Sequence, residues 1–143
     1  MNNGKGIYTC GPMEDVSRST MNGWRSEVDH VFKNIDGVKI LHPTRRTAMH
    51  EIGTQDPNVQ RSIVKMDLQD IADTSLVLAD LRDSSGGRRW GSVCEIAHAH
   101  TKNKIIIVVM DPGQSNHPFI TFYATEIYRD MAEAIEACKK YFE

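Results

Sequence analysis

Neither sign of charge dominates this sequence: seventeen Lys and Arg stand against nineteen Asp and Glu, a net of −2. That balance leaves no global basic field for a nucleic-acid polymer or an anionic membrane, although a local patch can still hold one small anion. Long hydrophobic runs are missing as well. The most apolar stretch, Ile105 to Met110, falls far short of the ~20 residues of a membrane span. The opening Met1-Asn2-Asn3-Gly4-Lys5-Gly6 lacks the apolar segment of a secretory leader, so the expected location is the cytoplasm. Cys10, Cys94 and Cys138 are an odd set with no Cys-x-x-Cys spacing. They suggest reduced, mostly buried thiols rather than a disulfide framework or a zinc knuckle.

What is present is ordinary globular composition, 40% hydrophobic and 25% charged, which argues against disorder. A chain of 143 residues suits one domain, and no repeat, low-complexity tract or linker divides it. Short β-branched runs alternate with helical stretches. Strands are expected at Ile7–Cys10, Val38–Leu41, Leu76–Ala79 and Ile105–Val109, with a weaker one at Ala124–Tyr128. Between them, apolar residues recur at three- and four-residue steps over Ser17–Ile35, Val59–Asp73 and Trp90–Thr101, the spacing of one helical face. A final helix carries Met131, Ala134, Ile135, Cys138, Tyr141 and Phe142 on one side, with Asp130 and Glu133 spaced as a capping box. The polar stretch from His42 to Asn58 reads as a long loop and a candidate substrate cover. The alternation implies an α/β fold, a parallel sheet covered on both faces, with ligands outside the carboxyl ends of the strands. The turn after the first strand, the segment after Asp80 and the loop after Met110 should converge there.

Several residues carry possible chemistry. Glu95 follows Gly91 and Ser92 near the start of its helix, where exposed amides and the helix dipole favour an ionised carboxylate; a plain first-turn glutamate is the competing reading. Asp67 lies between Ile63 and Ile71 at four-residue spacing, an ionisable group in a stripe that ought to be buried, which requires a partner or a task. Tyr8 sits within the apolar run of the first strand, as a core tyrosine or as a placed hydroxyl. Asp83-Ser84-Ser85-Gly86-Gly87-Arg88-Arg89, just before a helix start, has the composition of a phosphate cradle or of a flexible solvated loop, and matches no established phosphate motif. Six histidines invite a metal reading, but Cys94, Glu95 and His98 find no second ligand pair at matching spacing. No metal or other cofactor is expected.

With those elements placed, the sequence resembles the nucleoside 2-deoxyribosyltransferase family and its relatives, the 2'-deoxynucleoside 5'-monophosphate N-hydrolases. The resemblance is carried by Ile7-Tyr8-Thr9-Cys10-Gly11-Pro12-Met13, by Met66-Asp67-Leu68-Gln69-Asp70-Ile71 leading into Leu76-Val77-Leu78-Ala79-Asp80, and by Trp90-Gly91-Ser92-Val93-Cys94-Glu95-Ile96-Ala97-His98-Ala99. It implies a flavodoxin-like, doubly wound sandwich with a five-stranded parallel sheet, assembled as a homodimer or larger homo-oligomer whose subunits complete one another's sites. It implies further that Glu95 attacks C1' of the sugar, that Tyr8 orients Glu95, and that Asp67 contacts the base and aids its protonation. Gly11, Pro12 and Met13 belong to the first motif. The segment Asn116-His117-Pro118-Phe119 matches one that relatives lend to a neighbour's site.

Two departures bear on the substrate. Arg89 stands where relatives carry Asp or Ser against the sugar, and the sequence ends at Glu143 without the tail whose carboxylate enters the site in some transferases. Arg88 and Arg89 with Ser84, Ser85, Gly91 and Ser92 instead suit a 5'-phosphate. The leading expectation is therefore N-glycosidic cleavage of a 2'-deoxynucleoside or, preferred, its 5'-monophosphate, by hydrolysis or by transfer to another base. Two alternatives stay open: a non-catalytic nucleotide-binding or interaction module on the same fold, and attack on NAD or a ribonucleotide.

Overall fold

The computed structural model describes residues 4–46 and 56–143. Five strands form one sheet: β1 (Gly6–Cys10), β2 (Lys39–Leu41), β3 (Leu76–Asp80), β4 (Ile105–Val109) and β5 (Glu126–Tyr128). Every pairing is parallel and the spatial order is β2-β1-β3-β4-β5. This is the doubly wound, flavodoxin-like order, in which the chain winds outward from β1 in both directions and opens a crevice where it reverses. That switch point lies between β1 and β3, where Tyr8 pairs with Val77 and Cys10 with Ala79.

Side-chain alternation divides the sheet into two faces. Ile7, Leu76, Leu78, Ile107 and Val109 pack on α1 (Arg18–Phe32) and α5 (Met131–Lys139). Tyr8, Cys10, Val77, Ala79, Ile106 and Val108 meet α2 (Pro57–Ala72), α3 (Trp90–Thr101) and α4 (Pro118–Tyr123). The central strands β1 and β3 are buried along their whole length, as expected of a sheet covered on both sides.

Helix ends follow local chemistry. The Ser17 hydroxyl accepts from the Thr20 amide to start α1, and the Asp130 carboxylate accepts from the Glu133 amide to start α5. Asp56 caps α2 with Pro57 in its first turn, so that helix begins two residues before the expected Val59. α1 ends at Phe32, short of the expected Ile35, where the chain turns through Gly37 at φ +81°. Trp90–Thr101 agrees at both ends. Pro118–Tyr123, expected as loop, is a short helix with the His117 side chain accepting from the Phe119 amide. Four aromatic or proline positions in six residues leave no helical period to read. Of the loop expected from His42 to Asn58, Pro43–Arg46 forms a 3-10 turn and residues 47–55 lie outside the described residues. Among the described residues no helix is long and apolar enough to cross a membrane.

Candidate active site

A cleft of about 820 Å³ opens at the carboxyl end of β1. Its wall is the turn Gly11-Pro12-Met13-Glu14, the start of α1, and Trp90, Gly91 and Ser92 of α3, with Tyr8, Asp67 and Glu95 also lining it. Of the three expected loops, the turn after β1 and the segment after Asp80 meet at this cleft, whereas the loop after Met110 packs on the segment after Asp80 and lines none of it. The Arg88 amide donates to the Glu14 carbonyl at 3.3 Å, and the Ser84 amide to the Asp111 carboxylate at 2.7 Å. Gly87 makes the first contact possible. Its φ is +77°, and a Cβ there would stand 2.3 Å from Val16 Cγ2 and 2.8 Å from the Glu14 carbonyl oxygen, so any other residue would push the wall apart.

Tyr8 and Cys10, two apart on a strand, face the same side and meet Glu95, in the second turn of α3. The Tyr8 hydroxyl donates to Glu95 Oε2 at 2.7 Å, and the Cys10 thiol lies 3.4 Å from Oε1. Among the described residues no cation pairs with Glu95. Burial pushes its carboxyl up to about 7, against the Tyr8 and Cys10 hydrogen bonds and the charge of Arg25, and with help from the Asp67 charge. This corrects the expectation that the helix start keeps Glu95 ionised: it lies beyond the first turn, and desolvation outweighs the donors. Burial also raises the Tyr8 phenol and the Cys10 thiol well above their usual ranges, with Glu95 as the second cause in each case. Both therefore remain protonated donors.

Asp67 sits in the stripe expected of it, between buried Ile63 and Ile71, and its partner comes from the 3-10 turn. Arg46 donates through Nη1 to Asp67 Oδ1 at 3.1 Å and through Nη2 to Asp70 Oδ2 at 2.6 Å, while Arg45 Nη2 contacts both oxygens of Asp70 at 2.8 Å. Burial nevertheless pushes the Asp67 carboxyl up to about 6, with Arg46 opposing and Asp70 assisting. The cleft thus holds two carboxyls, both able to exchange protons near neutrality.

The phosphate-cradle residues separate. Arg88, Gly91 and Ser92 line the cleft. Ser84, Ser85 and Arg89 do not, and their polar groups are engaged within the loop. Ser84 Oγ donates to Asp111 Oδ1, Ser85 Oγ to Asp80 Oδ2, and Arg89 to the Leu81 carbonyl and Asp83 Oδ1. Arg88 pairs with Asp15 at 3.1 Å on the exposed rim, a contact of small energetic weight. The first amides of α3 have no side-chain cap. Asn116 accepts from Arg129 and His117 caps α4; neither lines this chain's cleft. Sequence reasoning missed Cys10 and Arg46 as neighbours of the two carboxylates. The two-residue step from Tyr8 to Cys10 was a usable signal for the first; the contact of Arg46, 21 residues from Asp67, left none. Trp90, at the cleft edge, is 83% exposed. Among the described residues no three His, Cys, Asp or Glu groups converge as a metal site requires.

No protein-family model matches the chain, and no curated protein matches it in sequence. Solved structures do match in fold. A 2-deoxyribosyltransferase from the psychrotolerant bacterium Bacillus psychrosaccharolyticus superposes with a TM-score of 0.70 at 16% identity, over 91% of this chain and 90% of that one. A conserved protein from Enterococcus faecalis V583 gives 0.68 at 11% identity, over 96% and 98% of the two chains. The Clostridium botulinum CMP N-glycosidase BcmB gives 0.59 at 12% identity, over 96% and 99%. At such identities the likeness is one of fold.

Proposed function

We propose that this protein is an enzyme of the nucleoside 2-deoxyribosyltransferase-like family. It cleaves the N-glycosidic bond of a 2'-deoxynucleoside or, preferentially, its 5'-monophosphate. The observation that carries this reading is Glu95: a partly buried carboxylate at the cleft, held by neutral donors, with a second carboxyl lining the same cleft. A carboxylate without a counter-cation keeps its lone pairs available to an electrophilic carbon, as a covalent mechanism requires. The likeness of fold to a deoxyribosyltransferase and to a CMP N-glycosidase supports the same reaction class.

In the proposed reaction Glu95 attacks C1', and the C1'–N bond breaks with its electron pair leaving on the base. Asp67, whose raised carboxyl retains a proton into the mildly acidic range, protonates the departing nitrogen. Water, or an N–H of a second base, then attacks C1', giving its proton to the Asp67 carboxylate as the C1'–Oε bond breaks and frees Glu95, with net retention. Tyr8 holds one oxygen of Glu95 throughout. The uncapped amides at the start of α3, with Arg88 beside them, suit a 5'-phosphate, which would exchange the exposed Asp15 partner of Arg88 for a dianion. Asn116 and His117, outside this chain's cleft, would serve a neighbouring subunit's site. Exposed Phe119 and Phe122, at 59% and 69%, give that assembly an apolar surface to cover.

A second reading, a ribonucleotide 5'-monophosphate as substrate, takes support from the fold likeness to the CMP N-glycosidase. One assay separates them: incubate the protein with deoxynucleosides, their monophosphates and the matching ribonucleotides, and follow free base by chromatography. Base release fastest from a deoxynucleoside monophosphate is the expected result. Release from ribonucleotides alone selects the second reading, and no release from any substrate rejects both.

A further inference from the structure

We propose that Cys10 is a positioning residue for Glu95, its thiol holding Oε1 while Tyr8 holds Oε2, so that the carboxylate is pinned at both ends by donors carrying no positive charge. The inference rests on the reading of Glu95 as the reacting carboxylate, and adds to it a group with no role assigned so far.

The geometry is specific. Cys10 is wholly buried at the carboxyl end of β1, and its sulfur lies 3.4 Å from Glu95 Oε1 and 3.5 Å from the Ser92 carbonyl oxygen. A thiol has one proton, so it serves one acceptor at a time. With Glu95 ionised, the charged oxygen is the stronger acceptor and takes it. With Glu95 protonated or esterified, the Ser92 carbonyl stands at nearly the same distance, and the buried S–H is never left unsatisfied. A donor that can turn away in this manner orients the carboxylate without holding it as firmly as a guanidinium would. The charged and titratable groups acting on Glu95 are Tyr8 and Cys10 from β1, Asp67 from α2 and Arg25 from α1. Of these only Cys10 and Tyr8 are hydrogen-bonded to it.

The test compares Cys10→Val, which fills the space of the thiol and somewhat more and suits a strand but has no proton to donate, with Cys10→Ala, which removes both the bulk and the proton, and Cys10→Ser, which keeps a donor. Removing a donor to the ionised form disfavours that form, so the acid limb of kcat/KM should move upward by roughly half a pH unit in both Val and Ala variants. At a pH below the limb this shift alone lowers activity by about threefold, and loss of the pin also lowers kcat above the limb in the Val and Ala variants, while KM stays near wild type. The Ser variant should keep a limb closer to wild type than the Val variant. The Glu95 titration followed by carbon-13 NMR of labelled glutamate, assigned against Glu95→Gln, reads the same shift without turnover, which separates a failure of this proposal from a failure of the catalytic reading. An unmoved midpoint in Cys10→Val, or equal shifts in the Val and Ser variants, overturns the role of the thiol.

Discussion

Asp80 and Glu95 are carboxylates on neighbouring elements, one at the carboxyl end of β3 and the other on the helix that follows, and they are handled in opposite ways. Asp80 is 1% exposed. It accepts from Arg82 Nε at 2.8 Å, Arg82 Nη2 at 3.1 Å, the Arg82 amide at 3.1 Å and Ser85 Oγ at 2.7 Å. Its lone pairs are committed to the loop that folds over the end of the sheet. Glu95 meets a phenol and a thiol, and the cleft. A charge-paired carboxylate fixes a turn; one stabilised only by neutral donors, against desolvation, is costly to ionise and keeps its reactivity. Asp67 lies between these extremes, with one oxygen on Arg46 and its carboxyl still raised to about 6.

Removing the structural carboxylate has the largest expected effect. Asp80→Ala should lower folding stability by about 2–4 kcal/mol, because Arg82 and Ser85 lose a shared partner. Urea unfolding reads this, and the folded fraction should keep its activity per molecule. Tyr8→Phe should cost roughly 10–100-fold in kcat with little change in stability, since the phenol acts on Glu95 rather than on the core; steady-state kinetics beside a melting curve separates the two. Glu95→Gln should, by contrast, stabilise the fold above pH 7, by about 1–3 kcal/mol. The sign follows from a folded-state carboxyl near 7 against an ordinary value of 4.5. Between those pH values the unfolded chain gives up a proton that the native state keeps, so wild-type stability falls as pH rises through that window. The advantage of the variant should vanish below about pH 4.5 in denaturant midpoints taken across pH. Smallest of all, Ser84→Ala should change kcat/KM by less than about threefold, because its hydroxyl serves Asp111 rather than the cleft.

How much of this was legible in the sequence depended on range. The strands, the long helices and the parallel sheet followed from local period, and Trp90–Thr101 agreed to the residue. Asp67 was legible as a polar group in an apolar stripe, and Tyr8 as a hydroxyl in a buried strand. At the 83–89 loop, composition cannot say whether hydroxyls and guanidiniums face a ligand or one another. Asp80, Asp83, Asp111 and the Leu81 carbonyl claim most of them. Arg25 went unnoticed for a related reason: its buried guanidinium is satisfied by Thr9 and the Met21 carbonyl, partners that only the fold brings together. The ionisation of Glu95 was misjudged because helix position is a local cue, whereas desolvation depends on what the sheet and α2 place around it.

Glu95 as the reacting group is tested most directly by base release from wild type and Glu95→Gln side by side, on the preferred deoxynucleoside monophosphate, with ligand binding and melting temperature measured on the same samples. The variant should fold and bind the nucleotide but release base at least about a thousandfold more slowly. A variant that turns over at near wild-type rate contradicts that role.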